Sequence, residues 1–124
     1  LKAKLETTFW NASKQALVHN SINGVQSDAV TRYANMFSVF FNYLTSEKQQ
    51  AIKHSVLLND SILKITTPYM RFYELEALCA LGEQETVMQE MKAYWGGMLK
   101  EGATSFWEKY NPEESGTPSI RTSK

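Results

Sequence analysis

A glutamate set among aromatic residues is the part of this sequence best suited to chemistry. Residues 102–112 read GATSFWEKYNP, so Glu108 directly follows Trp107 and lies two positions before Tyr110. Aromatic neighbours can withdraw water from a carboxylate, which raises its pKa and suits proton transfer, and a flat indole can stack on the apolar face of a sugar. Without further context, however, a glutamate is most often an ordinary solvated carboxylate. The segment therefore predicts either a binding cleft or the packed underside of a loop.

Other reactive side chains are better explained as ordinary residues. Ser61 and Lys64 match the S-x-x-K pattern in which a lysine neighbours a nucleophilic serine, but the K-T-G and S-D-N companions of that pattern are missing. His19 and His54 are far apart and are expected at the surface, and Cys79 is expected in the core. No Cys/His cluster has zinc-site spacing. We therefore expect no metal and no cofactor.

Length and charge limit the classes of protein to which this chain can belong. The 124 residues suit one domain with a single hydrophobic core. Thirteen Lys and Arg residues balance thirteen Asp and Glu residues, so neither nucleic acid nor an anionic membrane surface is an expected partner. No apolar run approaches the roughly 18 residues needed to cross a bilayer. The beginning of the sequence lacks the features of a signal peptide, so the compartment cannot be read from it.

Apolar residues at helical spacing predict five helices and no strand. Ser27 or Asp28 is expected to cap the second helix and Thr45 or Ser46 the third, while Pro68 suits the first turn of the fourth. The predicted helices cover residues 2–19, 28–44, 46–59 and 68–82 and a stretch that begins at Gln84. No segment alternates long enough to support a sheet. The fold class is therefore predicted to be all-α, with antiparallel helices joined by short connections.

The predicted helices differ in how much apolar surface they carry. The second has the clearest amphipathic pattern, formed by Val30, Tyr33, Ala34, Phe37, Phe40, Phe41 and Leu44. The fourth is apolar around much of its circumference, so we expect burial on two sides; on it, Arg71 and Glu74 are spaced to pair at the surface or in a cleft. Gly96 and Gly97 interrupt the broad apolar stripe of the fifth and predict a close approach or a bend.

Two segments of the sequence resemble a known family. TTPYMRFYELEALCALG and MKAYWGGMLKEGATSFWEKYNP are similar to the C-terminal part of the catalytic domain of bacterial alpha-L-rhamnosidases. These are inverting glycoside hydrolases built on a toroid of six helical hairpins, the (α/α)6 barrel. The similarity covers most of residues 26–114. Its most specific feature is the order T-P-Y, then W-G-x-M-L, then G-A-T-S-F-W-E.

The resemblance implies a fold and a set of roles. Residues 1–112 would form an incomplete part of an (α/α)6 barrel, and residues 113–124 would be an irregular tail. Glu108 matches the glutamate that acts as general base and activates water in this family. Trp107 and Tyr69 would line the subsite for a terminal alpha-L-rhamnoside, which makes a carbohydrate the expected substrate.

The sequence also departs from the family. Residues 1–30 carry no match to the acidic motif of the general acid, and neither the C-terminal β-sandwich nor its preceding histidine segment is matched. We therefore expect the chain alone to be inactive, and we expect apolar stripes at the edges of an incomplete barrel to favour a homo-oligomer. The resemblance favours a periplasmic or extracellular bacterial location over a cytoplasmic one. Two alternatives remain open: a non-catalytic α-helical scaffold or interaction module, and another six-hairpin glycosidase.

Overall fold

The fold is mostly helical, as predicted. A computed structural model describes residues 1–113, so nearly all of the predicted tail at 113–124 lies outside the described residues. In chain order the elements are α1 (Lys2–Phe9), β1 (Trp10–Asn11), β2 (Ala16–Leu17), β3 (Ser21–Ile22), β4 (Val25–Gln26), α2 (Arg32–Phe40), α3 (Ser46–Ile52), a π-helical turn (Lys53–Leu57), α4 (Pro68–Ala80) and α5 (Gln84–Lys100). Among the helices of residues 1–113, none combines the length and apolar character that a bilayer crossing requires.

The predicted first helix at 2–19 is wrong beyond Phe9. The side-chain oxygen of Asn11 accepts hydrogen bonds from the Ser13 hydroxyl and the Lys14 amide, and Gln15 has a left-handed backbone with φ 52°. These local bonds compete with the helical ladder and turn the chain back. β1 and β2 then pair antiparallel.

A second hairpin contradicts the expectation that the chain has no strands. β3 pairs antiparallel with β4, with Ser21 opposite Gln26 and Ile22 opposite Val25. The two connecting residues, Asn23 and Gly24, have φ values of 51° and 79°. Asn-Gly with positive φ at both positions is the preferred two-residue hairpin turn, so the sequence contained a usable signal for this element.

Helix α2 starts later than predicted, and its predicted apolar stripe is only partly buried, because Ala34 and Phe37 pack half-buried against the core while other members are exposed. Its cap position is Thr31; Ser27 instead accepts a hydrogen bond from the Ala29 amide within the preceding turn. The helix ends at Phe40, and Asn42 adopts a left-handed backbone with φ 56°. The buried residues of α2 are Arg32, Asn35, Met36, Ser38 and Val39, whereas Tyr33, Phe40 and Phe41 of the predicted stripe are exposed.

Polar side chains take part in the buried face of α2 because they satisfy backbone groups of other segments. Asn35 accepts from the Leu17 amide at 2.8 Å and donates to the Leu17 carbonyl at 3.0 Å, so one side chain serves both backbone groups of a buried strand residue. A third bond goes to the Thr31 carbonyl. Apolar periodicity cannot reveal such a face, since three of its five buried residues are polar.

The third predicted helix is confirmed at its start and in its core residues. The Thr45 hydroxyl accepts from the Lys48 amide, as expected of an N-cap. Ile52, Val56 and Leu57 are buried. The last turn is π-helical rather than α-helical, and an irregular connection leads from it to α4.

Helices α4 and α5 begin where predicted. Pro68 opens α4 and Gly82 ends its last turn with φ 84°. Helix α4 packs against α2 and α5, and its residues Leu75, Ala77 and Leu78 enter the main core. Burial on two sides is wrong for the first turns of α4, because Tyr69 and Phe72 are exposed. On α5 the predicted stripe is buried at Val87, Tyr94 and Met98 and exposed at Met88, Met91 and Leu99.

Candidate functional site

The segment that carries Trp107 and Glu108 leaves α5 through a defined helix end. Gly102 has φ 88°, its amide donates to the Leu99 carbonyl at 3.1 Å, and the Ala103 amide donates to the Met98 carbonyl at 3.0 Å. This pair of bonds is a Schellman motif, which requires the left-handed backbone that glycine adopts without strain. The first end of the segment is therefore fixed.

The other end of the segment is fixed at the start of α4. The Tyr110 amide donates to the Thr66 carbonyl at 2.8 Å, and the Tyr94 hydroxyl donates to the same carbonyl at 2.7 Å. Thr66 immediately precedes the cap residue of α4. The segment therefore crosses from the end of α5 to the beginning of α4.

Aromatic rings continue inward from this segment. Trp107 meets the Tyr110 ring edge-to-face with centroids 5.7 Å apart, and Tyr110 packs on Tyr94 at 5.3 Å. The Arg71 guanidinium lies 4.8 Å from the centroid of the Tyr94 ring, within range of a cation–π contact. Burial raises the pKa of Tyr94 to about 12, so this phenol keeps its proton and remains a donor to Thr66 at physiological pH.

The structure places the three predicted site residues at accessible positions. Trp107 is half-buried and Glu108 is exposed. Tyr69 is 69% exposed on the first turn of α4, where its hydroxyl lies 3.3 Å from that of Tyr73. The Trp107 ring contacts Tyr110, whereas the Tyr69 ring contacts Tyr73. The described residues do not enclose the Glu108 carboxylate, contrary to the expectation that its aromatic neighbours would shield it from water.

A buried ionic cluster behind the segment was not predicted. Arg32 and Glu74 are each 3% exposed and form an ion pair at 3.2 Å; Arg71 is also buried and lies 3.5 Å from the same Glu74 oxygen. Arg71 further donates to Glu90 on α5. The two alternatives for Arg71 and Glu74 are thereby resolved, since this pair is in the interior and not on the surface.

Burial governs the protonation of the cluster. Loss of solvation raises the pKa of Glu74, and the charges of Arg32 and Arg71 only partly oppose that rise. Within residues 1–113, the second carboxylate oxygen of Glu74 and the Nε of Arg71 have no hydrogen-bond partner. Helical spacing indicated the Arg71–Glu74 pair, but sequence reasoning missed Arg32, because arginine is rarely so buried and its pairing with Glu74 depends on a contact between two helices.

Two small cavities adjoin the cluster. One, of about 210 Å³, extends from Thr66 and Tyr94 to Asn111 and Pro112, and the other, of about 200 Å³, reaches Arg32 and Glu74. Both are lined by Lys64, Arg71 and Glu90. Charged residues of both signs therefore line these cavities in nearly equal number. Among the described residues, no group of three His, Cys, Asp or Glu side chains is arranged to hold a metal ion.

A continuous aromatic surface lies on the other side of α4. Its rings contact one another at centroid distances of 4.9 to 6.0 Å. We call this surface the aromatic face; it consists of Phe37, Phe40, Phe41, Tyr43, Tyr69, Phe72 and Tyr73. Five of these side chains are exposed, which is unusual for a contiguous set of rings.

Comparison with known proteins finds a likeness among solved structures. No family model and no curated protein matches the sequence. A solved rhamnosidase from Klebsiella oxytoca with rhamnose bound superposes with a TM-score of 0.77 at 25% sequence identity. The match covers 96% of this chain and 22% of that chain. The chain has a rhamnosidase-like fold. It spans about a fifth of the length of the structure that it matches.

Proposed function

We propose that this chain is part of a glycoside hydrolase that removes terminal alpha-L-rhamnose with inversion, and that Glu108 is its general base. The observation that carries the proposal is the superposition of 96% of the chain on a rhamnosidase that holds rhamnose. The ordered motifs T-P-Y, W-G-x-M-L and G-A-T-S-F-W-E support it independently. The parent protein would then be an enzyme built on an (α/α)6 barrel.

In the proposed reaction, the Glu108 carboxylate accepts a proton from water as the water oxygen attacks the anomeric carbon. The bond from that carbon to the leaving oxygen breaks, and a carboxylic acid on the opposite face protonates the leaving oxygen. Inverting enzymes hold these two carboxyl groups about 6.5–9.5 Å apart to leave room for the water. We place the acid outside this chain, so the chain alone is expected to be inactive.

The aromatic residues would bind the sugar. The Trp107 indole, held by Tyr110, offers a flat apolar surface on which a rhamnose ring can stack. The ring of Tyr69 is also exposed, and the resemblance alone supports its part in sugar binding. Glu108 lies between the Schellman turn at Gly102 and the backbone anchor at Tyr110. Short spacing between two fixed points limits how far the carboxylate can move, and a general base needs such positioning.

Replacement of Glu108 by Gln in the intact enzyme tests the proposal. We expect turnover of an aryl alpha-L-rhamnoside to fall by about 10²–10⁴-fold, since the amide cannot accept the proton. Glu101→Gln is the matched control, because Glu101 is an exposed carboxylate at the end of α5. Nuclear magnetic resonance of the first-formed sugar should show the beta anomer. Equal turnover in both variants would reject the assignment of Glu108.

A second candidate is a non-catalytic interaction module, which the exposed aromatic face favours. In that case the intact protein would hydrolyse no glycoside, and substitutions on the aromatic face would weaken binding to a partner. A third candidate, another six-hairpin glycosidase, predicts hydrolysis of a different aryl glycoside. A panel of aryl glycosides that includes the alpha-L-rhamnoside distinguishes all three.

A further inference from the structure

The two adjacent glycines of α5 have different surroundings. A Cβ atom built on Gly97 would lie 2.6 Å from the Tyr110 hydroxyl oxygen and 3.2 and 3.3 Å from two ring carbons of Tyr110. A Cβ atom built on Gly96 would meet nothing within 4 Å. Heavy atoms do not approach a Cβ as closely as 2.6 Å, so a larger residue at 97 requires Tyr110 or the backbone of α5 at this position to shift. The close approach predicted for this pair is thus made by Gly97.

Tyr110 is the residue that ties the candidate catalytic segment to the rest of the fold. Its amide is bonded to Thr66, and its ring packs between Tyr94 and Trp107. Tyr94 is buried and bonded to the same Thr66 carbonyl. Because the ring has packed neighbours on several sides, it cannot withdraw from Gly97 without disturbing these contacts.

We propose that Gly97 is a positioning residue. Because it has no side chain, Tyr110 can pack directly against α5, and we call this contact between Tyr110 and Gly97 the seat. The seat holds Trp107 and Glu108 in place. The inference about catalysis rests on the proposed function, whereas the inference about the seat does not. Glu108 lies two residues before Tyr110 and Trp107 three residues before it. Over so short a distance, displacement of Tyr110 changes the position of both side chains.

Amide hydrogen exchange on the full chain tests the seat without any substrate. In Gly97→Ala we expect the Tyr110 amide to exchange at least about tenfold faster, because its bond to Thr66 opens more often. Gly96→Ala is the matched control, because it makes the same change at the neighbouring position, where the added methyl group contacts no other atom. The exchange rate of the Tyr110 amide should be unaltered in this variant. If the Tyr110 amide exchanges at the same rate in wild type and Gly97→Ala, the proposal is overturned.

Kinetics on an aryl alpha-L-rhamnoside test the catalytic part in the intact enzyme. We expect Gly97→Ala to lower kcat by up to about 100-fold with a smaller change in KM, since misplacement of a catalytic group by about 1 Å has that effect. Gly97→Ala combined with Tyr110→Phe should recover part of the loss, because the hydroxyl that the new methyl group would strike is gone. Gly96→Ala should keep wild-type kinetics.

The outcomes separate the two proposals. If Tyr110 loses protection but the wild-type enzyme hydrolyses no rhamnoside, the seat stands and the proposed function fails. If the wild type is active and Gly97→Ala loses protection but not kcat, the positioning role is overturned. Should Gly97→Ala not fold, Tyr110→Ala removes the seat while leaving α5 unchanged. It is expected to lower kcat similarly, and wild-type kcat in a folded Tyr110→Ala would reject the role.

Discussion

The Arg32 guanidinium and the Glu74 carboxylate meet at 3.2 Å in the interior and join α2 to α4. Arg32 also donates to four carbonyl groups of the connection that follows α3, those of Leu57, Asn59, Ile62 and Leu63. All five donors of a guanidinium can be used in such an arrangement. Arg32 therefore joins α2 to α4 and to the chain after α3 through bonds within the fold, an arrangement that we call the bracket.

Loss of this bracket should be costly. We expect Arg32→Met to lower the free energy of unfolding by about 3–5 kcal/mol, because Glu74 would keep a buried charge and several carbonyls would lose their donor. Lys64→Met is the control, since the Lys64–Asp60 pair is largely solvated and should contribute less than about 1 kcal/mol. Urea unfolding followed by circular dichroism measures both. A similar loss of unfolding free energy in the two variants would contradict this role of Arg32.

Glu74 should make stability depend on pH. Burial raises its pKa in the folded chain above the ordinary value of 4.5 that it regains on unfolding. Between those two values the folded chain binds more protons than the unfolded chain, so the contribution of Glu74 falls as pH rises through the window that starts near 4.5. We expect the contribution to be greatest below that window. The difference in unfolding free energy between wild type and Glu74→Gln, measured from pH 4 upward, isolates this slope.

Asn35 should be essential for docking the N-terminal hairpin on α2. Asn35→Leu keeps similar volume but leaves the buried amide and carbonyl of Leu17 without partners, and each lost partner costs about 1–3 kcal/mol. Asn35→Asp retains the acceptor for the Leu17 amide but places a carboxylate against the Leu17 and Thr31 carbonyls at a fully buried position, so we expect it to be at least as destabilising as Asn35→Leu. Thermal unfolding of the three proteins should therefore place wild type above both variants. A leucine variant as stable as wild type would contradict this.

The aromatic face should drive self-association if it is not covered by another part of the parent protein. We propose that the 124-residue chain forms a homodimer or larger oligomer through this face, because exposed contiguous rings favour burial. Phe41→Ser and Phe72→Ser, at two residues that are each 52% exposed, should weaken association at least about tenfold. Leu63→Ser is the control, as Leu63 is exposed but outside the aromatic face. A clean monomer at high concentration in sedimentation experiments would contradict the proposal.

Local signals predicted those parts of the fold that local chemistry decides. Thr45, Pro68 and Gly82 mark helix ends through bonds or dihedral angles of their own neighbourhood, and these boundaries are confirmed. The Asn23–Gly24 turn was equally local and could have been predicted. The end of α1 at Phe9 depends on an asparagine side chain that competes with the helix, which apolar periodicity does not detect.

Features that depend on distant contacts could not be predicted. The buried face of α2 is set by partners 18 to 42 residues away, so the aromatic stripe that dominates the pattern became a surface instead. The same holds at the site. The order of the motifs indicated Trp107 and Glu108 as candidate site residues. The contact between Gly97 and Tyr110 that holds this segment can be seen only in the structure. The catalytic role of Glu108 remains a prediction.

The convergence of carbonyl groups on Arg32 has a consequence for the order of folding. The irregular connection between the π-helical turn and α4 has few bonds of its own, and its carbonyl groups accept from the Arg32 side chain, 27 to 31 residues earlier in the chain. Such a contact forms only after a loop of that length has closed, which is slow compared with the growth of a helix. The connection therefore acquires its native shape only when α2 docks, and the two are released together when the molecule opens.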